Sequence, residues 1–569
     1  MRSRMLVIKA GAGLAVAMLA SLVMVAASSC DGCDGQTISA SQSLTSSTST
    51  TAVDASAAGP VLSLEISPDS TLVALSDELL SLPLGDDATT TTLAGEASTS
   101  TTLGDGSTTS SSSTPASDTT ANQTSSTVKA ATTATTATPT TTATTQPPTT
   151  QAPTTAATAP PAPPTENVPA NGQVFHINPG SGNDDNDGKS ASSAWKSLQT
   201  GLRRVQPGQT LLLHGGDYKE LKVPGVAHYS ADRGGTSGNW VKIAAAPGAS
   251  PTIVASNGTG LLIQAPYIEV SGLTIRGSGF STTNNWGPGI SVSLTHHVRV
   301  VGNRISRMAG SGISVTRSSN FSLIGNEIAE NAFWSPLQGS GISVWEPKNH
   351  GFGADSAGYH DRIEGNRVYK NENKVKSQFK NFEHITDGNG IILDSGTDSG
   401  YSGRALVANN LVYGNGGRGI LVWKYNNVDV MFNTAYQNGQ TNGILGGATE
   451  YAAGRGNDIT IANNVGWARS GLPAIVFDGA SNSDSYNNVL ITDSPSGSAS
   501  SRDIMHSGNP GFRNPSTNSA NNDFRPSSGS VLQGKAQSTP WYIKIDMVGT
   551  SRGGGTPDIG AFEVEASRR

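Results

Sequence analysis

The chain has 569 residues, a net charge of −6 and only two cysteines. That charge provides no basic surface for nucleic acid and no general attraction for an acidic polymer, so a polyanionic substrate would need local positive charge or a metal ion. Two cysteines in so long a chain leave no disulfide framework, so a large domain must be held by packing alone.

In chain order, residues 1–30 read as an export signal, because Arg2, Arg4 and Lys9 precede an apolar and small-residue run from Ala10 to Ala27. The expected location is extracellular, either secreted or anchored at the cell surface. The run Ala26-Ala27-Ser28-Ser29-Cys30 resembles a bacterial lipoprotein cleavage box, with Ala27 where such boxes usually carry Leu. Cys30 is therefore a candidate lipid anchor and the only expected membrane attachment. The alternative is that Cys30 and Cys33 pair, or are lost with the signal. Residues 31–172 read as a disordered linker dominated by Ser, Thr, Ala and Pro, with runs such as Thr89 to Thr92 and Ser110 to Thr114. Such a stretch has too few large apolar residues to offset the entropy of ordering, which suits a glycosylated spacer. Its Pro-rich end, Gln146 to Pro164, should be stiffer, and one apolar island, Val61 to Leu84, interrupts it.

Residues 173–569 form the expected folded domain. Val174 to Asn178 reads as a first strand, and Asn183 to Gly188 as a loop. Ala194 to Val205 reads as a short amphipathic helix, because Trp195, Leu198, Leu202 and Val205 fall three and four apart. Such a helix suits the open end of a sheet. A repeat follows: Gly289-Ile290, Gly312-Ile313, Gly341-Ile342, Gly390-Ile391, Gly419-Ile420 and Gly443-Ile444. Interleaved with these are Gly302-Asn303, Gly325-Asn326, Gly365-Asn366, Asn409-Asn410, Phe432-Asn433 and Asn463-Asn464. The shortest intervals are 23 or 24 residues, a period that marks solenoids, whose units must stack to bury a face. Brief Ile- and Val-rich runs make the unit a strand. The expected fold is all-β, a single-stranded right-handed parallel β-helix with a capping helix. At about 4.8 Å per coil, ten or so coils would span roughly 50 Å.

The run Asn178 to Gly188, then Trp195-Lys-Ser-Leu198, Val205-Gln-Pro-Gly-Gln-Thr210 and Gly215-Gly-Asp-Tyr218, resembles the N-terminal cap of secreted β-helix polysaccharide lyases of the pectate, alginate and chondroitin lyase type. Gly235 to Asn239 followed by Val241 to Gly248 is similar to their first coil. Asn509-Pro-Gly-Phe512, Asp523-Phe-Arg-Pro526 and Asp558 to Glu563 resemble the closing segment of many bacterial β-helix proteins. The resemblance implies a monomer acting on an extracellular acidic polysaccharide by β-elimination, with several Asp residues on adjacent turns holding Ca²⁺ and a Lys or Arg on the following coil. The chain repeats that outline but lacks a consecutive Asp-Asp pair at the proposed site, the coils from Asp387 to Lys424.

Aligning the Gly-Ile strands places Trp345, Asp394 and Trp423 outward on successive coils, if alternation holds. Exposed aromatics beside a carboxylate suit contact with sugar rings, whereas inserted loops would hide them. Two inserts, Glu346 to Arg362 and Lys370 to Ile385, leave the solenoid here, the second bearing Lys374, Lys376 and Lys380. Asp387, Asn389, Asp394 and Asp398 are the candidate oxygen ligands for Ca²⁺, which would neutralise a uronate carboxylate. Lys424 is the candidate base, with Arg418 holding a substrate carboxylate and Asp394 at the reaction centre. The competing reading of Asp387 and Asn389 is turn chemistry, and that of Lys424 and Arg418 is a solvated basic edge. Glycoside hydrolysis by two carboxylates, epimerisation, and non-catalytic carbohydrate binding or adhesion stay open beside the lyase.

Overall fold

The computed structural model describes residues 6–8, 62–64, 172–219, 229–255, 258–277, 287–350, 358–378, 384–495, 497–537, 543–553 and 555–564. Cys30, Cys33, Lys380, nearly all of the expected signal and linker, and most of the Val61 to Leu84 island lie outside the described residues. In the unit Met1–Thr144 the described segments are Leu6–Ile8 and Leu62–Leu64, which pair antiparallel.

In the second unit, three long parallel sheets are built by one chain that visits them in the order I, II, III from Thr210–Leu213 to Val489–Ile491. Sheet I has eleven strands from Val174–Ile177 to Asp484–Tyr486, and sheet II eleven from Gly216–Tyr218 to Ile504–His506. Sheet III has nine, from Tyr229–Ala231 to Ile475–Asp478. This is the expected parallel β-helix, and parallel crossovers of this kind are right-handed. Among the described residues of this unit the α-helix is Leu198–Arg204, shorter than the spacing suggested. Ser197 caps it by accepting the Thr200 N–H, and Trp195 instead bridges Ile177 in extended backbone.

The Gly-Ile repeat marks the start of the sheet III strands. A Cβ at Gly289, Gly312, Gly341 or Gly390 would lie 2.2–2.4 Å from an inward Ile or Val methyl. Glycine is therefore required there by the packing of the corner. Gly443-Ile444 is the exception: it lies in a loop, and the strand in register with Ile420–Trp423 is Tyr451–Gly454. The insert after Gln437 carries a chance copy of the signal.

The interleaved Asn residues form a buried ladder. Asn303, Asn326, Asn366, Asn410, Asn433, Asn464 and Asn488 are unexposed, and each donates its Nδ2 to the Oδ1 of the next at 2.9–3.2 Å. Asp503 accepts from Asn488 at the end. A second ladder, Asn331, Asn371, Asn415 and Asn438, ends on buried Glu450. Stacked amides satisfy one another where the backbone turns between sheets I and II, or II and III, so the corners can be buried. The residue before the first ladder's Asn takes positive φ: 62° at Gly302, 55° at Asn409 and 57° at Phe432.

Candidate functional site

Sheet III positions the candidate residues. Register runs Ile342↔Ile391↔Ile420 and Trp345↔Asp394↔Trp423. Ile342, Val344, Ile391, Leu393, Ile420 and Val422 are at most 1% exposed, so alternation turns Trp345, Asp394 and Trp423 to the outer face. Continued along the solenoid, this outer row reads Ser293, Thr316, Trp345, Asp394, Trp423, Gly454 and Asp478. A parallel outer row reads Ser291, Ser314, Ser343, Ile392, Leu421, Ala452 and Val476.

The two rows are not equally open. Trp345 is 42% exposed, whereas Ile392, Leu421 and Ala452 are buried in a small cluster against which Trp423 packs. Trp423 lies across the next coil, because a Cβ at Gly454 would sit 2.3 Å from its ring. The Arg455 guanidinium stacks 4.9 Å from the Trp423 ring centroid, and Arg317 lies 5.4 Å from that of Trp345.

The inserts leave from opposite edges of sheet III. The first follows the Ile342–Trp345 strand and runs to 358, since Tyr359–Glu364 is already a sheet I strand that buries Asp361 and Ile363. The second precedes Ile391–Asp394. In it Lys374 sits 3.5 Å from Glu372 and 4.4 Å from the Phe333 ring centroid, and Lys376 is exposed.

At the entry edge, the residues before the repeated glycines form a third ladder that the sequence reading did not single out. Ser311 Oγ accepts the Ser340 N–H, Ser340 Oγ accepts the Asn389 N–H, and Asn389 Oδ1 accepts the Arg418 N–H at 2.8 Å. Its signal was the polar residue preceding Gly312-Ile313, Gly341-Ile342, Gly390-Ile391 and Gly419-Ile420. Asn389 also donates to Asp387 Oδ1 at 3.1 Å. Arg418 is buried, donating to the carbonyls of Thr386 at 3.0 Å and Leu445 at 2.8 Å. Gln338 completes the support by accepting the Thr386 N–H at 2.8 Å.

Two carboxyls inside this frame have raised pKa values. Burial, then the neighbouring Asp394 charge, pushes Asp387 up to about 7, against the pull of Arg418 and Asn389. Burial also raises Asp394, while Ser395, donating at 3.0 Å, and Lys424 pull it down. Burial lowers Arg418, and the Asp387 charge partly offsets this. At the opposite edge Lys424, at φ 48°, makes an ion pair with Asp398 at 2.8 Å.

Of the candidate calcium ligands, the Asn389 carbonyl oxygen accepts from Arg418 and Asp398 faces Lys424, and among the described residues no group of three or more His, Cys, Asp or Glu is placed to hold a metal. The arrangement sets Asp394 in register between exposed Trp345 and partly exposed Trp423, with Asp387 close enough for its proton to feel the Asp394 charge.

No curated protein matches the chain. Among solved structures it is similar to a pectate lyase at 18% identity, covering 69% of this chain and 96% of that one with a TM-score of 0.42. It is also similar to a rhamnogalacturonan lyase at 17% identity, covering 56% and 87%, TM-score 0.40. A lacto-N-biosidase from Eubacterium ramulus follows at 16% identity, covering 56% of each chain, TM-score 0.36. At such distances side-chain roles do not transfer. Residues 250–490 match the family model described as right handed beta helix region, the architecture that the three sheets build.

Proposed function

We propose that this protein binds a polysaccharide along the outer face of sheet III and cleaves it, with Asp387 and Asp394 as the proton-handling pair. The observation that supports this is the pairing of two raised carboxyls beside the outward Trp345 and Trp423. Asp387 keeps its proton to about 7 because burial and Asp394 both oppose ionisation. It is therefore suited to protonate a glycosidic oxygen while Asp394 serves as base or nucleophile, the division of labour of glycoside hydrolysis.

The second reading is β-elimination on a uronate polymer, favoured by one observation: the Lys424 charge bears on Asp394 from the following coil. Lys424 as base would have to leave Asp398, and Arg418 would have to leave two carbonyls to hold a substrate carboxylate. Hydrolysis requires neither move. No step is routed through a metal. The protein is proposed to act outside the cytoplasm, with residues 31–172 as spacer and Cys30 as anchor; fractionation of a Cys30→Ser variant tests this, with release from the membrane fraction expected.

The intact protein is to be incubated with a panel of polysaccharides, following new reducing ends and, separately, the ultraviolet absorbance of unsaturated uronates. Reducing ends without that absorbance, lost in Asp387→Asn and Asp394→Asn but kept in Lys424→Ala, are the expected result. Absorbance that Lys424→Ala abolishes would establish the elimination, and turnover retained in both Asp variants would remove this site.

A further inference from the structure

Resting on that reading of sheet III as a glycan-binding face, we infer that the substrate is a neutral polysaccharide rather than a uronate polymer. The two outer rows of sheet III contain no Lys, Arg or His, and their ionisable members are Asp394 and Asp478. Asp387 adds a third carboxyl beside Asp394. The cations flanking Asp394 and the two indoles are engaged, and Lys376, exposed in the second insert, stands off the two outer rows. Arg418 is buried on two carbonyls, Lys424 is paired with Asp398, and Arg317 makes an ion pair with Glu346 at 2.8 Å. Arg455 is stacked on Trp423.

A polyanion along this face would set carboxylates above Asp394, where the flanking cations Arg418 and Lys424 are already committed, and this repulsion would also raise the two catalytic carboxyls further. A neutral sugar meets no such cost. Trp345, exposed, and Trp423, partly exposed, stand one coil either side of Asp394 and offer indole surface to the apolar side of a pyranose. Toward the N-terminal end the rows change to hydroxyls, with Ser291, Ser293, Ser314 and Thr316 partly exposed and able both to donate to and to accept from sugar hydroxyls. The floor is thus aromatic and acidic at the cleavage point and hydroxyl-lined beyond it.

The test uses the full chain as Asp394→Asn, so that binding is read without turnover, against matched sets of neutral polymers (xylan, galactan and glucan type) and uronate polymers (polygalacturonate and alginate). Affinity electrophoresis at low and high salt is the readout. A neutral polymer should retard the protein at least about ten-fold more strongly than any uronate polymer, independently of salt, with retardation lost on adding Trp345→Ala or Gly454→Ala, the latter displacing the Trp423 ring. Because Asp394→Asn itself removes a negative charge, the ranking is repeated with the wild-type protein on ice. A uronate polymer bound more tightly in both proteins, and lost with Trp345→Ala, would overturn the substrate class while keeping the groove. No retardation by any polymer, or retardation unchanged by both substitutions, would overturn the groove reading and this inference with it.

Discussion

Sheets II and III both carry a row of aromatic side chains on their outer faces, and the two rows have opposite fates. On sheet II, Tyr369, Tyr413, Tyr436 and Trp467 stand in register, with Tyr369 and Tyr413 stacked 4.9 Å apart. The C-terminal segment closes over them: Phe524 lies 5.5 Å from Tyr413 and 5.1 Å from Tyr436, and Phe512 joins the same cluster. Arg552 ties that segment down through Asn409 and Gly560. On sheet III, Trp345 stays exposed and Trp423 is only partly covered. An outward aromatic on a solenoid is thus structural or functional according to what the rest of the chain lays over it, and the closing segment that covers the sheet II row leaves Trp345 on sheet III uncovered.

The largest expected effect lies on the covered side. Phe524 is 2% exposed, so Phe524→Ala should cost about 3–5 kcal/mol of stability, visible as a lower thermal midpoint. Asp387→Asn and Asp394→Asn should lower kcat by about 100-fold or more, with the thermal transition at about pH 5, below the raised Asp387 pKa, nearly unchanged. A comparable drop in Tm would instead make the pair structural. Trp345→Ala, on the open side, should change stability by no more than about 0.5 kcal/mol, so a cost like that of Phe524→Ala would erase the distinction between the two faces.

The pH dependence sharpens the comparison further. Burial raises Asp361 and Asp387 to about 7 and Glu450 to about 8. Each therefore binds its proton more tightly when folded than when unfolded. The stability they contribute is fully present below an ordinary carboxylate pKa of about 4 and is lost as pH rises through about 7 to 8. The thermal midpoint should accordingly fall from pH 4 to pH 8. Asp387→Asn should make that slope shallower and remove the alkaline limb from any residual activity, and an unchanged slope would place the Asp387 proton elsewhere.

Much of this architecture was legible because its repeat is made by residues with narrow roles. Glycine before Ile marks a corner where a Cβ would strike the neighbouring coil, and Asn after a positive-φ residue marks a buried amide ladder. Both signals are local and return every coil. The same reading failed at Gly443-Ile444, where two residues copy the signal inside a loop, and it extended the helix to Ala194 because spacing does not show the Ser197 cap. For the site, the alignment that stacks Trp345, Asp394 and Trp423 was available from sequence, since strand register in a solenoid follows the repeat.

By itself, then, the sequence determined a parallel β-helix and which residues share the outer face of sheet III, because strand alternation and a coil-length repeat are properties of neighbouring residues. Only the tertiary structure decided what those residues can do. Arg418 is spent on the carbonyls of Thr386 and Leu445, Lys424 on Asp398, and Asp387 is half-buried within reach of the Asp394 charge. These are contacts between loops of different coils, and charge and burial depend on distances through space that no local pattern encodes.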